Sequence, residues 1–575
     1  MVARTQEGIH IETYAARGIL VLAVLMYCIG VGAHDLLSDD ALNSFRALGW
    51  FDYLGGTVQT TPIQWFDTIP WWANLSFHDA PPLAFGIQYL FFGVFGMSAF
   101  AAKLPFALAG LGVVFVLYRI FLEWRGRAPA LAAALLATVS SYAVWASQAG
   151  YLEGIEVLFL SLAGYFFLRY TASGAWRDAV WLGVAAGCAL SVKYTAIFLV
   201  PAVFLYALVW RRDIFLRGSF WAAALIALAV LAPVLIYNAE VYATRGHFDA
   251  AASSMAGMHP DDFKLIASRG VSTDFSANAA AIGKTLYIVT SIPFLALYAV
   301  SVLFLGMKVI RKKGDALERF LLLAIILVFV MFLFIGAAER FLSVMVPFLV
   351  AAFVVFAYDL FLSVKTKAPR VALGVVGALL VVAGFELFYN VNTNILAQPA
   401  VAHAAFSSPA RLSSVGFNEL HDYIGKNIFP ELAEFRRPHD AATMHMVDEA
   451  ALRGGNILLF DETIYWFAYV WYIQPYSVYY RLPVISFTNY LQAIPKDSDP
   501  LRALAGTGAK GMYYVAGVSD RVVDPVKKRN DAMRSLEISF AEYLDTNGYF
   551  IDTIYDRSGS VAFKVYYIPL NGERR

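Results

Sequence analysis

Long apolar runs limit what this chain can fold into more than any other feature of it. They lie near residues 18–36, 99–123, 127–146, 151–170, 177–193, 195–210, 219–239, 284–308, 320–337, 341–363 and 371–391. Several exceed the roughly 18 residues that a helix needs to cross a bilayer core. Inside lipid every backbone polar group must be paired within its own segment, so such runs read as helices. The composition agrees: 59% of residues are hydrophobic and 15% are charged, where a soluble domain carries about 25% charge. No basic tract of the kind that nucleic acid requires is present, which excludes that class of partner. Cys28 and Cys188 each sit inside an apolar run and read as small core residues. The first run ends without a small-x-small cleavage site, so an uncleaved first helix is expected.

One shorter run fixes the orientation. It is residues 83–96, within FHDAPPLAFGIQYLFFGVFG (77–96). At about 14 residues it is too short for an ordinary span. Cytoplasmic loops collect Lys and Arg. If 83–96 lies along the surface and the N-terminus is cytoplasmic, every basic cluster falls on the cytoplasmic side. These are Arg119, Arg125 and Arg127; Arg169 and Arg177; Arg211, Arg212 and Arg217; Lys308, Arg311, Lys312, Lys313 and Arg319; and Lys365, Lys367 and Arg370. If 83–96 spans, all of them face outward. The charge pattern therefore predicts a polytopic α-helical membrane protein with about eleven transmembrane helices. Its first outer loop (37–98) holds interfacial helices, and a long outer loop (240–283) resembles a lid. Residues 1–391 form the transmembrane unit, and 392–575 form an extracytoplasmic α/β domain.

In that last part NILLF (456–460), PVISF (483–487), GMYYVAG (511–517) and SVAFKVYYI (560–568) read as strands. Residues 524–548 read as a helix stopped at Asn547-Gly548. Gly454-Gly455 lacks the spacing of a nucleotide fingerprint.

The predicted topology gathers charged residues on one face. Asp39, Asp40, His78 and Asp79 lie in the first outer loop, with Glu153, Lys193, Glu339 and Arg340 in later ones and Lys103 at the outer end of its span. The lid-like loop adds Glu240, Arg245, His247, His259, Asp261, Asp262, Lys264 and Arg269. A carboxylate can take a hydroxyl proton during attack on an activated carbon. Cations can neutralise the charge that develops on a leaving phosphate. Each residue also has a plainer reading. The acids suit solvated loops or helix N-termini, the cations suit interfacial anchors, and Trp65, Trp71 and Trp72 suit an aromatic belt. The scattered histidines lack metal-ligand spacing. Co-location on one face is what favours chemistry.

The order of these motifs resembles the GT-C superfamily of integral-membrane glycosyltransferases, in particular its protein O-mannosyltransferase and aminoarabinose-transferase branch. The carriers of the resemblance are Asp39-Asp40 in SDDALNSFRA, HDAPPL (78–83), AAKLP ending at Pro105, Glu153 in YLEGIEV, Lys193 in LSVKYTA, and Arg340 in ERFLSVMVPF. Four positions depart from the pattern. Asp40 stands for a usual Glu, and Asp79-Ala80 part the His from Pro-Pro. Ser147 and Gln148 lie where an Arg often precedes the second acid, and Lys103 replaces an Arg.

The resemblance implies inverting transfer of a single sugar from a polyprenyl-phosphate carrier, dolichyl- or undecaprenyl-type, to an acceptor hydroxyl. It makes Asp39 the base and Asp40 its partner. Lys193, Arg340 and Lys103 would hold the donor phosphate. Glu153 and His78 would shape the site or an optional divalent metal, with no cofactor required. Asp79 and His259 would serve the acceptor or the lid. The expected partners are the lipid-linked sugar, a protein, lipid or glycan acceptor, and membrane lipids. The expected location is a bacterial or archaeal plasma membrane, with the site outside. The rival reading is a polytopic transporter or lipid flippase with an external binding domain, for which Glu386 is the clearest acid inside a run.

Overall fold

The structure is a computed structural model. It describes residues 6–54, 58–264, 274–396, 414–438, 443, 446–494, 501, 504–524 and 531–570, with side chains from residue 12 onward. Arg269 and residues 525–530 of the helix expected at 524–548 lie outside the described residues.

The apolar runs are helical. Among the described residues, six helices are long and apolar enough to cross a membrane: Ala99–Trp124, Gly218–Arg245, Ile292–Ile310, Ala316–Ile335, Phe341–Lys367 and Pro369–Ile395. A seventh span is supplied if the pair Arg127–Val139 and Ser141–Gln148, bent by 58°, counts as one. The runs at 18–36, 151–170, 177–193 and 195–210 form helices Gln6–Cys28, Leu152–Ser173, Trp176–Val192 and Leu199–Trp210, the last entered through a 3-10 turn at Tyr194–Phe198. The chain is an integral membrane protein.

Two runs differ from expectation. The first helix stops at Cys28 rather than near residue 36. Gly30 and Gly32 follow it with φ of 81° and 79°. A Cβ on Gly32 would lie 2.6 Å from the Phe100 backbone, so only glycine allows this turn to pass so close. The run at 284–308 is two helices, Phe275–Val289 and Ile292–Ile310. Ser291 caps the second by accepting the Phe294 N–H, and Pro293 sits in its first turn, where a missing N–H costs nothing.

The bend at Ser140 is held by the last of the long apolar helices, Pro369–Ile395. Glu386 accepts both the N–H (2.9 Å) and the hydroxyl (2.6 Å) of Ser141. Asn390 donates to the Val139 carbonyl at 3.1 Å, and Asn394 to the Ser141 carbonyl at 2.8 Å. Groups freed by the break in the helix are thereby paired. Glu386 works here as a staple for the backbone.

Segment 83–96 forms one helix, Leu83–Phe95. At 1.5 Å per residue it is about 20 Å long, short of a ~30 Å hydrocarbon core. Ala84, Phe85, Gln88 and Phe92 are buried, while Leu90 and Val94 are exposed. Gln88 donates to Ser44 Oγ (2.9 Å) and to the Ala102 carbonyl (2.8 Å), which ties this helix to two others.

The C-terminal part contains a five-stranded sheet. Its strands are β1 (Asn456–Phe460), β2 (Val484–Ser486), β3 (Gly511–Gly517), β4 (Phe550–Tyr555) and β5 (Val561–Pro569), in the order β2-β1-β3-β5-β4. The first three are parallel, and β5 and β4 add antiparallel. Helix Asp531–Thr546 covers one face, with Phe540 5.0 Å from the Tyr514 ring. The other face shares a core with the first loop. Leu36, Phe45, Phe85 and Phe92 pack in one cluster with Phe417, Phe460, Trp471 and Tyr479. The Phe92 and Trp471 rings are 5.6 Å apart, and Tyr479 donates to the Phe45 carbonyl at 2.8 Å.

Candidate active site

A short amphipathic helix, Asp39–Gly49, carries the two acids in its first turn, where the helix dipole favours negative charge. Its polar end meets three other chain segments. Asp39 forms an ion pair with Arg340, which precedes the turn Phe341–Met345. Arg340 Nε lies 4.0 Å from Glu153 Oε1. Glu153, at the start of Leu152–Ser173, pairs with Lys193, the residue that ends Trp176–Val192. The result is an alternating row: Asp39, Arg340, Glu153, Lys193.

Phe341 stands between the two cations. Its ring centre is 4.3 Å from Lys193 Nζ and 5.0 Å from the Arg340 guanidinium, and the Tyr151 ring is 5.8 Å from the latter. These aromatic faces add attraction for the cations while leaving polar edges open. Asp39 and Arg340 are 29% and 26% exposed, so the Asp39–Arg340 end of the row is open to a ligand. Glu153 is 2% exposed.

Asp40 points the other way and is buried. Burial raises its carboxyl above the usual range, partly offset by Lys103 and by the Ser38 and Ala41 N–H groups. Lys103 Nζ sits 3.6 Å from Asp40 and donates to the His34 (3.1 Å) and Asp35 (3.2 Å) carbonyls. Its ammonium is therefore committed inside the protein, which corrects the expectation that it holds donor phosphate. Gly150 (φ 78°) lets the 149–151 turn pass above this pair, since a Cβ there would lie 3.3 Å from Lys103 Cγ.

His78 and Asp79 are drawn into a second network at the far end of the same helix. His78 is fully buried; Nδ1 is 2.8 Å from Asp52 and Nε2 is 2.7 Å from Gln59. Asp79 takes a two-pronged contact from Arg46, at 2.7 and 3.3 Å. Burial by itself would raise Asp79, but Arg46 and His78 outweigh it and hold the carboxyl well below its ordinary value. Arg46 also lies 5.4 Å from the Phe85 ring centre. Both side chains are engaged in holding the loop, at the opposite end of the helix from Asp39.

The lid-like loop is tied to the first loop. Arg245 grips Asp262 at 2.7–3.0 Å, and His247 Nε2 is 3.0 Å from the same carboxylate. Thr60 N–H donates to the Asp262 carbonyl at 2.9 Å, and Ala250 N–H to that of His78 at 2.7 Å. His259 is exposed on this loop. Among the described residues, no group of three or more His, Cys, Asp or Glu side chains could hold a metal ion.

Several participants were not singled out from the sequence. Glu156, one turn beyond Glu153, is buried and accepts from Thr195 at 2.6 Å. Arg46 follows Asp39 by two helical turns on the same face, which is a usable signal. Asp35, Asp52 and Tyr472 gave none, because their partners are remote in sequence or lie in irregular loops.

Residues 79–237 match the family model described as dolichyl-phosphate-mannose-protein mannosyltransferase. A putative mannosyltransferase of Bacillus subtilis (strain 168), YycA, is 34% identical over 138 residues, 23% of this chain and 20% of that protein. The match thus spans about a fifth of that relative's length. Among solved structures, ArnT from Cupriavidus metallidurans in the apo state superposes with a TM-score of 0.54 at 14% identity, over 98% of this chain and 99% of that one. The same enzyme bound to undecaprenyl phosphate gives 0.54 and 14%, over 97% and 99%. Residues 79–237 are thus similar to a mannosyltransferase family, and the fold is similar to that of ArnT over nearly the whole chain.

Proposed function

We propose that the protein is an inverting glycosyltransferase that moves one sugar from a polyprenyl-phosphate carrier to an acceptor hydroxyl at the outer membrane face. The observation that carries this reading is the row Asp39–Arg340–Glu153–Lys193, assembled from four separate segments at one end of the helices. The basic clusters assigned to the cytoplasm are far from it. Lys103 and Arg125 lie at opposite ends of one helix, about 33 Å apart at 1.5 Å per residue. Near Arg125, ion pairs Arg125–Glu318 (2.6 Å) and Lys308–Glu318 (2.6 Å) close the other end. This separation supports an orientation with the row and the C-terminal sheet outside.

In the proposed reaction, the donor phosphate engages Arg340 and Lys193. It competes with Asp39 for the guanidinium, which frees the Asp39 carboxylate beside the sugar. Asp39 then takes the acceptor hydroxyl proton as the oxygen attacks the anomeric carbon. The new C–O bond forms opposite the departing phosphate, which inverts the centre. The bond from carbon to phosphate oxygen breaks, and polyprenyl phosphate leaves with its electron pair. Arg340 and Lys193 neutralise the growing charge. Glu153 keeps the two cations parallel and apart. The closed ion pairs of the lid loop suit a cover that excludes water.

Glu386 supports transfer over transport, because it is spent on the bend at Ser141. The test is transfer by the purified protein from undecaprenyl-phosphate sugars, with the diphosphate carriers as comparison. Turnover with the monophosphate that disappears in Asp39→Asn is the expected result. Undiminished turnover in that variant would remove Asp39 from the mechanism.

A further inference from the structure

A strap, residues 34–38, joins the turn after the first helix to the acid-bearing helix. Its two sides face different parts of the molecule. Asp35 is fully buried and turns toward the C-terminal segment. Its Oδ2 accepts the N–H groups of Val415 (2.7 Å), Gly416 (3.2 Å) and Phe417 (3.2 Å), and Oδ1 that of Asn418 (3.0 Å). The next residue, Leu36, donates its N–H to Tyr472 Oη at 2.9 Å. Tyr472 donates in turn to Asn418 Oδ1 at 2.8 Å.

The other side of the strap faces the acids. The backbone carbonyls of His34 and Asp35 receive Lys103 Nζ, which lies 3.6 Å from Asp40. Asp40 accepts the Ser38 N–H at 2.8 Å. One residue thus binds the C-terminal segment through its carboxylate and, through its own carbonyl, the cation that neutralises Asp40. Hydrogen bonds to a charged acceptor are among the stronger ones in proteins. Such a carboxylate sets the position of everything bonded to its backbone.

We infer that Asp35 is a positioning residue through which the C-terminal sheet unit fixes the placement of the Asp39–Asp40 helix. It does not touch substrate. Its kinetic consequence rests on the transfer reading above, whereas its structural consequence does not. In this account the C-terminal unit serves as a brace for the catalytic loop.

The experiment pairs hydrogen exchange with transfer kinetics on the full chain in lipid nanodiscs. Asp35→Asn replaces an acceptor of four N–H groups with an amide that turns a donor toward some of them. Exchange across 36–49 should quicken about 10- to 100-fold, together with that across 415–423. The kcat for transfer should fall about 10²-fold, the scale of an ångström-sized misplacement, with the donor KM unchanged. Tyr472→Phe keeps the ring and should move both readouts the same way by less, which covers the case where Asp35→Asn folds poorly. Asp422→Asn, at an exposed pair with Lys426, should change neither. Faster exchange confined to 415–423, with 36–49 and kcat as in wild type, would overturn the proposal. Loss of transfer in the wild-type protein itself would count against the transfer reading, and the exchange arm would still judge the coupling.

Discussion

Two charge networks occupy the two ends of one short helix, and they are built for different ends. At its start, Asp39 and Arg340 are about a quarter exposed and flanked by aromatic faces. Some 10 Å further along the axis, Arg46 and His78 are sealed from solvent, and among their partners Gln59 is buried while Asp52 and Asp79 are 9% and 27% exposed, so the contrast lies in the cations. An exposed ion pair contributes little to stability and exchanges partners readily. A buried one resists exchange, because either partner left alone is a desolvated charge. Accessible pairing suits ligand binding; sealed pairing suits a loop that must keep its shape.

Substitution tests this contrast most severely at the two acids and bases that define it. Asp39→Asn should reduce transfer by about 10²–10⁴-fold, the usual contribution of a general base, with the thermal midpoint preserved. Arg46→Ala should do the reverse in kind. It leaves Asp52 and Asp79, which are 9% and 27% exposed, without their cation and should cost about 1–3 kcal/mol, read as a lower thermal midpoint. A wild-type midpoint in that variant would break the comparison. Arg340→Ala should weaken polyprenyl-phosphate binding by about 10- to 100-fold, as expected for hydrogen bonds to a charged group. Titration of acceptor analogues should show little change.

The sealed network should also titrate. Burial lowers His78, but Asp52 and Asp79 outweigh it and raise the ring above its ordinary value. Its stabilisation is therefore complete below about pH 6.5 and is lost as the ring deprotonates at higher pH. Asp79, held low, acts oppositely: its contribution is present above about pH 3.9 and is lost in stronger acid. A thermal-midpoint profile should peak between those limits, and His78→Gln should flatten its alkaline flank. The smallest effect belongs to exposed His259, whose replacement by Ala should shift stability by no more than about 0.5 kcal/mol and leave transfer unchanged.

The apolar helices were legible because hydropathy is a local signal that the bilayer imposes, although six or seven of the described helices, against about eleven expected, are long and apolar enough to cross it; the gathering of Asp39, Glu153, Lys193 and Arg340 followed from their places at the ends of those runs. The break at 290–291 was missed because it lies within an apolar run, although Pro293 in the first turn of the second helix marks it. Strand β4 escaped notice because FIDTIY follows the Asn-Gly stop directly and pairs through two irregularities of register. The surroundings of Lys103, His78 and Asp79 were not legible, for one reason. Sequence shows which residues share a face, whereas burial and partners such as Asp52 and the 34–35 carbonyls are set by tertiary contacts. The core shared by the first loop and the C-terminal sheet joins segments hundreds of residues apart, and nothing local announces it.

The bend at Ser140 also bears on how the protein is made. Ser141 leaves the ribosome 245 residues before Glu386, the acceptor for its N–H and hydroxyl. At about 5–20 residues per second, the gap lasts roughly 10–50 s. During that time the broken helix sits in the membrane with open polar groups, a condition lipid does not tolerate without water or another chain nearby. This end of the helical assembly is therefore completed late in biogenesis, when the last of the long apolar helices inserts and latches a bend made long before it.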